Sequence, residues 1–110
     1  MTVREAAAAL HLETLVMADG EREIRGGYCG DLLSWVMTRL QSDEAWITIM
    51  NNVNVIAVAS LSDAACVILS ENAEVEEAVI KRAEEQGINL LRSELSSFAL
   101  CAKLDGIIHA

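Results

Sequence analysis

The chain has 110 residues, enough for one domain with a single core. Apolar residues make up 53% and aromatics only 4%, so that core is built from Val, Ile, Leu and Ala, and the apolar excess points to a buried subunit interface, here a homodimer. Eight basic against 17 acidic residues give a net charge of −9, which removes the basic surface that nucleic acid or an anionic membrane would require.

Thr2 and Glu5 have capping-box spacing, and the run of alanines after them predicts a short helix. Residues 11–16 read as a strand, Asp19-Gly20 as a turn, and residues 21–27 as the returning strand of an N-terminal β-hairpin with Ile24 inward. Gly26, Gly27 and Gly30 form a glycine-rich loop leading into a helix, with Asp31 placed to cap it. Leu33, Val36, Met37 and Leu40 repeat at helical spacing, and Leu32 and Trp35 widen the apolar face. A helix so apolar suggests burial against both a sheet and a partner, so Leu32, Trp35, Val36 and Met37 are the interface candidates.

Residues 45–50, 66–69 and 88–91 read as buried strands. A helix is expected over about 53–61. In the next, Val75, Ala78, Val79 and Ala83 face inward, Glu77 pairs with Lys81, and Gly87 is the C-cap. Ser93 is placed to cap a last helix whose inner face is Leu95, Phe98, Ala99 and Ala102. Short apolar strands alternating with helices mean βαβ units. The expectation is a single α/β domain over residues 1–110, with a mostly parallel central sheet flanked by helices and the N-terminal hairpin at one end.

Ligands in open parallel sheets bind beyond the carboxyl ends of the strands. The residues expected there are Tyr28, Gly30, Asp31, Thr48, Met50, Asn51, Asn52, Asn54, Ser70, Glu71, Asn72 and Ser93. Helix caps account for many of these residue types. A shared cleft for a phosphate or carboxylate, met by backbone N–H groups, accounts for them as well. The glycine loop is neither a dinucleotide-binding fingerprint nor a P-loop, and it has no lysine. Glu71, Glu74, Glu76 and Glu77 favour a helix start and read as a solvated face rather than a metal site.

Cys66 and Cys101 lie in apolar runs and read as small core residues. Cys29 precedes a helix, where the dipole can lower a thiol pKa, but it has no basic neighbour or resolving cysteine in sequence. His11 and His109 read as surface residues. No catalytic or metal motif is present, so neither an enzyme nor a cofactor is expected. The odd cysteine count, the absence of an apolar leader core at the N-terminus and the lack of a spanning segment point to the cytoplasm.

The stretch 21–37, Glu-Arg-Glu-Ile-Arg-Gly-Gly-Tyr-Cys-Gly-Asp-Leu-Leu-Ser-Trp-Val-Met, resembles the first block of the DRTGG domain family. Trp46-Ile47-Thr48-Ile49 and Cys66-Val67-Ile68-Leu69 are similar to its two central strands. The family's Asp-Arg pair corresponds to Asn51-Asn52 here, and its Thr-Gly-Gly to Ser70-Glu71-Asn72. The resemblance extends to the N-terminal region of HPr kinase, without the P-loop half. It implies a dimeric regulatory α/β domain, of the kind that accompanies CBS domains in certain pyrophosphatases and takes part in adenine-nucleotide sensing, and that also occurs in some phosphate acetyltransferases. The expected function is therefore a ligand-sensing module binding an adenine nucleotide or another small phosphorylated ligand. The alternatives are a structural protein–protein interaction module with no small-molecule ligand, and a weak enzyme acting through Cys29.

Overall fold

A strand with no polar face needs cover on both sides. The computed structural model, which describes residues 1–109, meets that need with helices on both faces of one sheet. The elements in order are α1 (Val3–Ala9), β1 (Glu13–Val16), β2 (Gly26–Cys29), α2 (Leu33–Arg39), β3 (Glu44–Thr48), α3 (Val53–Ser62), β4 (Cys66–Leu69), α4 (Glu77–Gln86), β5 (Leu90–Arg92) and α5 (Ser97–Ile108). The strand order is β1-β5-β4-β3-β2. β2, β3, β4 and β5 are parallel, and β1 runs antiparallel to β5 at one edge. The chain is thus the expected α/β domain with a mostly parallel sheet.

Alternate residues of each central strand feed two separate cores. Trp46, Val67, Leu69 and Leu90 pack with Val36 and Leu40 of α2, Ile56 and Ala59 of α3, and Val79 and Ala83 of α4. Ala45, Ile47, Cys66, Ile68 and Leu91 pack with Val3 and Ala6 of α1 and Leu100 and Leu104 of α5. The three crossover helices therefore share one face, and the first and last helices cover the other.

Several local expectations hold. Thr2 and Glu5 form the capping box, with Glu5 N donating to Thr2 Oγ1 at 3.1 Å and Thr2 N to Glu5 Oε1 at 2.9 Å. Gly87 ends α4 in the left-handed conformation. Others are corrected. No N-terminal hairpin exists: β1 and β2 lie at opposite edges of the sheet. The Asp19-Gly20 segment is captured by α1 and Asn89 instead, since Gly20 O accepts from Arg4 N and Arg22 O from Val3 N, each at 2.9 Å. Ile24 is buried as expected, but in the segment before β2.

Asp31 does not cap α2, whose N-cap is Leu32. Ser93 does not cap α5, whose N-cap is Ser96. The inner face of α5 is Leu100 and Leu104, while Phe98 is 86% exposed. That helix is apolar nearly all round, so spacing alone does not select a face. The selection comes from Leu104, which lies 3.7 Å from where a Cβ on Gly27 would stand. In α4 the inner residues are Val79 and Ala83, Ala78 is exposed, and the ion pair is Arg82–Glu85 at 3.6 Å rather than Glu77–Lys81. Val36 is fully buried against the sheet and cannot reach a partner subunit.

Two polar clamps hold the amino end of the sheet. Arg22 reaches Asp43 and Asp63 at 2.9 Å each. The Ser42 hydroxyl, then Arg22, holds the Asp63 carboxyl below its ordinary range. The second clamp is Asn89, which is buried just ahead of β5. Its Nδ2 donates to Asp19 O at 2.8 Å and Ala65 O at 3.0 Å, and its Oδ1 accepts from Asp19 N at 2.8 Å. Replacing Asn89 with Leu leaves one N–H and two carbonyls without their partner. Urea denaturation of Asn89→Leu is expected to show a loss of about 2–4 kcal/mol, whereas a surface substitution changes stability by less than about 0.5 kcal/mol.

Candidate functional site

At the carboxyl end of the sheet the chain does something it does nowhere else. After β4 it returns over the face that carries α4, and after the neighbouring β5 it leaves over the opposite face into α5. Adjacent parallel strands whose loops diverge in this way open a crevice between them.

The two loops are stitched together by backbone bonds. Glu71 N donates to Leu95 O and Asn72 N to Ser93 O, both at 2.8 Å. The Ser70 and Ser97 hydroxyls share a 2.6 Å hydrogen bond. Left-handed backbone aims these two consecutive N–H groups at one loop, Glu71 and Asn72 having φ of 60° and 51°. Glycine reaches this region without a Cβ penalty. The resemblance places the Gly-Gly of Thr-Gly-Gly at these two positions, and the observed backbone supplies the physical reason for glycine there.

Most of the expected site residues are occupied by such structural bonds. Asp31 Oδ1 accepts from Thr48 Oγ1 at 2.7 Å and from Ile49 N at 3.0 Å, and Thr48 Oγ1 accepts from Met50 N at 3.1 Å. Gly30 O accepts from Trp46 Nε1 at 2.9 Å, and the Tyr28 ring occupies the space a Cβ on Gly30 would need. Asn51 Nδ2 donates to Glu74 O at 2.5 Å, and Asn52 caps α3 through Asn54 N at 2.9 Å. Ser93 Oγ accepts from Leu95 N at 3.0 Å.

These residues do not share one cleft. Tyr28 lines a cavity of about 250 Å³ under α5, together with Cys29, Cys101 and Leu104. Asn51 and Asn52 line another of about 250 Å³ with Glu76 and Val79, whose lining includes no Lys or Arg. Asn72 and Ser93 border a third and larger one, a groove of about 620 Å³ between the end of α1, the loop after β5 and the flank of α5. Leu10, Leu95, Ala102 and Ile107 give this groove apolar walls. Glu13, Arg92, Glu94 and Lys103 supply its charges, and His11 lies beside them. Arg92 is held by Glu13 at 2.8 Å and by Ala73 O at 3.1 Å. Lys103 has no carboxylate partner among the described residues.

The sequence reading missed the α1 and α5 contributions to this groove. One signal was available. Gly106 sits inside a helix, where glycine costs about 1 kcal/mol against alanine and usually has a packing or functional reason. It lines the groove, and a Cβ placed there would meet nothing within 4 Å.

Cys29 agrees with its sequence reading in one respect and departs from it in another. Burial, then Cys101, then Asp31 pushes its thiol up to about 11, so the helix dipole does not produce a reactive thiolate. A second cysteine, distant in sequence, is its neighbour: Cys101 lines the same cavity. Among the described residues no helix is long and apolar enough to cross a membrane.

The model of the DRTGG domain matches residues 28–107, from Tyr28 in β2 to Ile107 in α5. No curated protein matches the chain. Among solved structures, the chain is similar to the CBS and DRTGG domains of the regulatory region of a Clostridium perfringens pyrophosphatase, complexed with its activator diadenosine tetraphosphate. The TM-score is 0.72 at 10% identity, covering 92% of this chain and 44% of that one, so the likeness is one of fold and the present chain spans less than half of its neighbour.

Glu71 lacks the short polar side chain that eases Asn into left-handed backbone. Glu71→Gly is expected to raise stability by about 0.5–1 kcal/mol, and Asn72→Gly by less, in urea unfolding. A destabilised Glu71→Gly protein would show that the side chain, rather than the backbone, matters at this position.

Proposed function

Because this chain belongs to the DRTGG domain family, we propose that it is a cytoplasmic regulatory module that senses a small phosphorylated ligand, an adenine nucleotide in the first instance, and has no catalytic role. The observation that carries the reading is the groove of about 620 Å³ at the diverging loops. Its apolar walls suit a base or other flat apolar group, and Lys103, which has no carboxylate partner among the described residues, suits an anionic tail. The neighbour of the same fold, described as part of a regulatory region complexed with diadenosine tetraphosphate, supports trying that chemistry first.

Thermal unfolding against AMP, ADP, ATP and diadenosine tetraphosphate tests the reading. A ligand at about 100 times its dissociation constant adds about 2.7 kcal/mol, a rise of roughly 10 °C for a domain this size. Gly106→Leu fills open space in the groove without a clash on the Cβ and removes a helix-interior glycine, so it is expected to abolish the shift while the unliganded midpoint stays the same or rises. Lys103→Glu is expected to weaken the shift roughly tenfold or more in ligand concentration, as loss of one favourable charge contact implies. No shift with any nucleotide would reject this ligand class and favour a protein-interaction module.

A homodimer is the second part of the proposal. Leu32, Trp35 and Met37 each expose more than half of their surface along α2, although Val36 does not contribute. Arg39 stacks on Trp35 at 3.7 Å, which pre-orders that patch. Sedimentation at micromolar concentration is expected to give a dimer, with Trp35→Glu giving a monomer. A wild-type monomer would remove this part of the proposal and leave the ligand reading standing.

A further inference from the structure

We propose that Cys29 and Cys101 are an oxidative modification site, a thiol pair that closes to a disulfide and staples α5 to β2. The alignment of the two elements carries the inference. Gly27 and Cys29 are two residues apart on β2 and share a face. Leu104 and Cys101 are three apart on α5 and also share a face. Leu104 packs on Gly27, so the same alignment sets Cys101 opposite Cys29, and both line one cavity of about 250 Å³.

The surroundings favour a neutral bridge. Ile47 and Leu104 wall the cavity, while Asp105 and His109, which also line it, bind each other at 2.8 Å. The same burial that holds the Cys29 thiol protonated penalises a thiolate, and it carries no such penalty for an uncharged disulfide. Cys29 is exposed at the open side of the cavity, so an oxidant can reach it, whereas Cys66 is buried.

The oxidant is a disulfide of the glutathione class. One thiol loses its proton to solvent and attacks an oxidant sulfur. The oxidant's S–S bond breaks, a mixed disulfide forms, and the first glutathione thiolate leaves and takes up a proton. The second cysteine then loses its proton to solvent and attacks the protein-side sulfur of that mixed disulfide. The second glutathione leaves as a thiolate and is protonated in turn. Two protein thiols are oxidised, and one glutathione disulfide is reduced to two thiols.

Incubating the full chain with glutathione disulfide at mildly alkaline pH, followed by intact mass and peptide mapping, tests the proposal. The expected product has lost two hydrogen atoms and yields a Cys29–Cys101 linked peptide, and dithiothreitol restores the starting mass. Its unfolding midpoint is expected to rise by about 10 °C, as closure of a long loop implies. Cys101→Ser is expected to stop at the glutathione adduct on Cys29. An adduct on the wild type that never resolves, a linkage to Cys66, or a bridge only between two chains would each overturn the proposal.

Discussion

β3 and β4 have no residue pair that tolerates water, and everything else in the molecule follows from covering them twice. Alternation along each strand sends Trp46, Val67 and Leu69 to one side and Ile47, Cys66 and Ile68 to the other. Three crossover helices in a row supply cover for one face only, because successive parallel strands are joined the same way round. The second face is left to α1, before the sheet begins, and α5, after it ends. The chain must therefore change faces once among its parallel strands, and it does so after β5. That change places the crevice between the loops after β4 and β5.

The crevice is closed near the sheet and open further out. Ser70, Ser97 and the left-handed pair Glu71 and Asn72 stitch its base. The loops are thereby fixed relative to each other, and the groove above them has a rigid floor. The groove above that floor has partly apolar walls, and Lys103 on its flank has no carboxylate partner among the described residues.

α5 is the element through which the two cavities communicate. Ala102, Lys103, Gly106 and Ile107 line the groove on one flank. Cys101, Leu104, Asp105 and Ile108 line the smaller cavity on another. A helix held only by Leu100, Leu104 and its partly buried neighbours has fewer anchors than α3, which is packed on its whole inner side. Whatever fixes or shifts α5 acts on both cavities at once.

Some of this was determined by the sequence alone. Apolar runs of strand length joined by helices specify a parallel sheet, and β4 falls on residues 66–69 as read. The capping box at Thr2 and the left-handed cap at Gly87 are local rules that tertiary contacts do not alter. The strand-end polar residues were correctly placed at one end of the sheet, because strand polarity follows from the crossovers. What the sequence did not decide was which partner each group would find. Asp19-Gly20 has hairpin chemistry, yet a buried Asn89 and the α1 backbone compete for the same segment and win. The helix at 97–108 is apolar on most sides, so only its docking over Gly27 chose the inner face. Asp31 and Ser93 are ordinary caps in sequence, and they were diverted by Thr48 and by the loop at Leu95. The groove and the Cys29–Cys101 pair join residues from opposite ends of the chain. No local pattern encodes such meetings, since packing two helices onto one face of a finished sheet is what creates them.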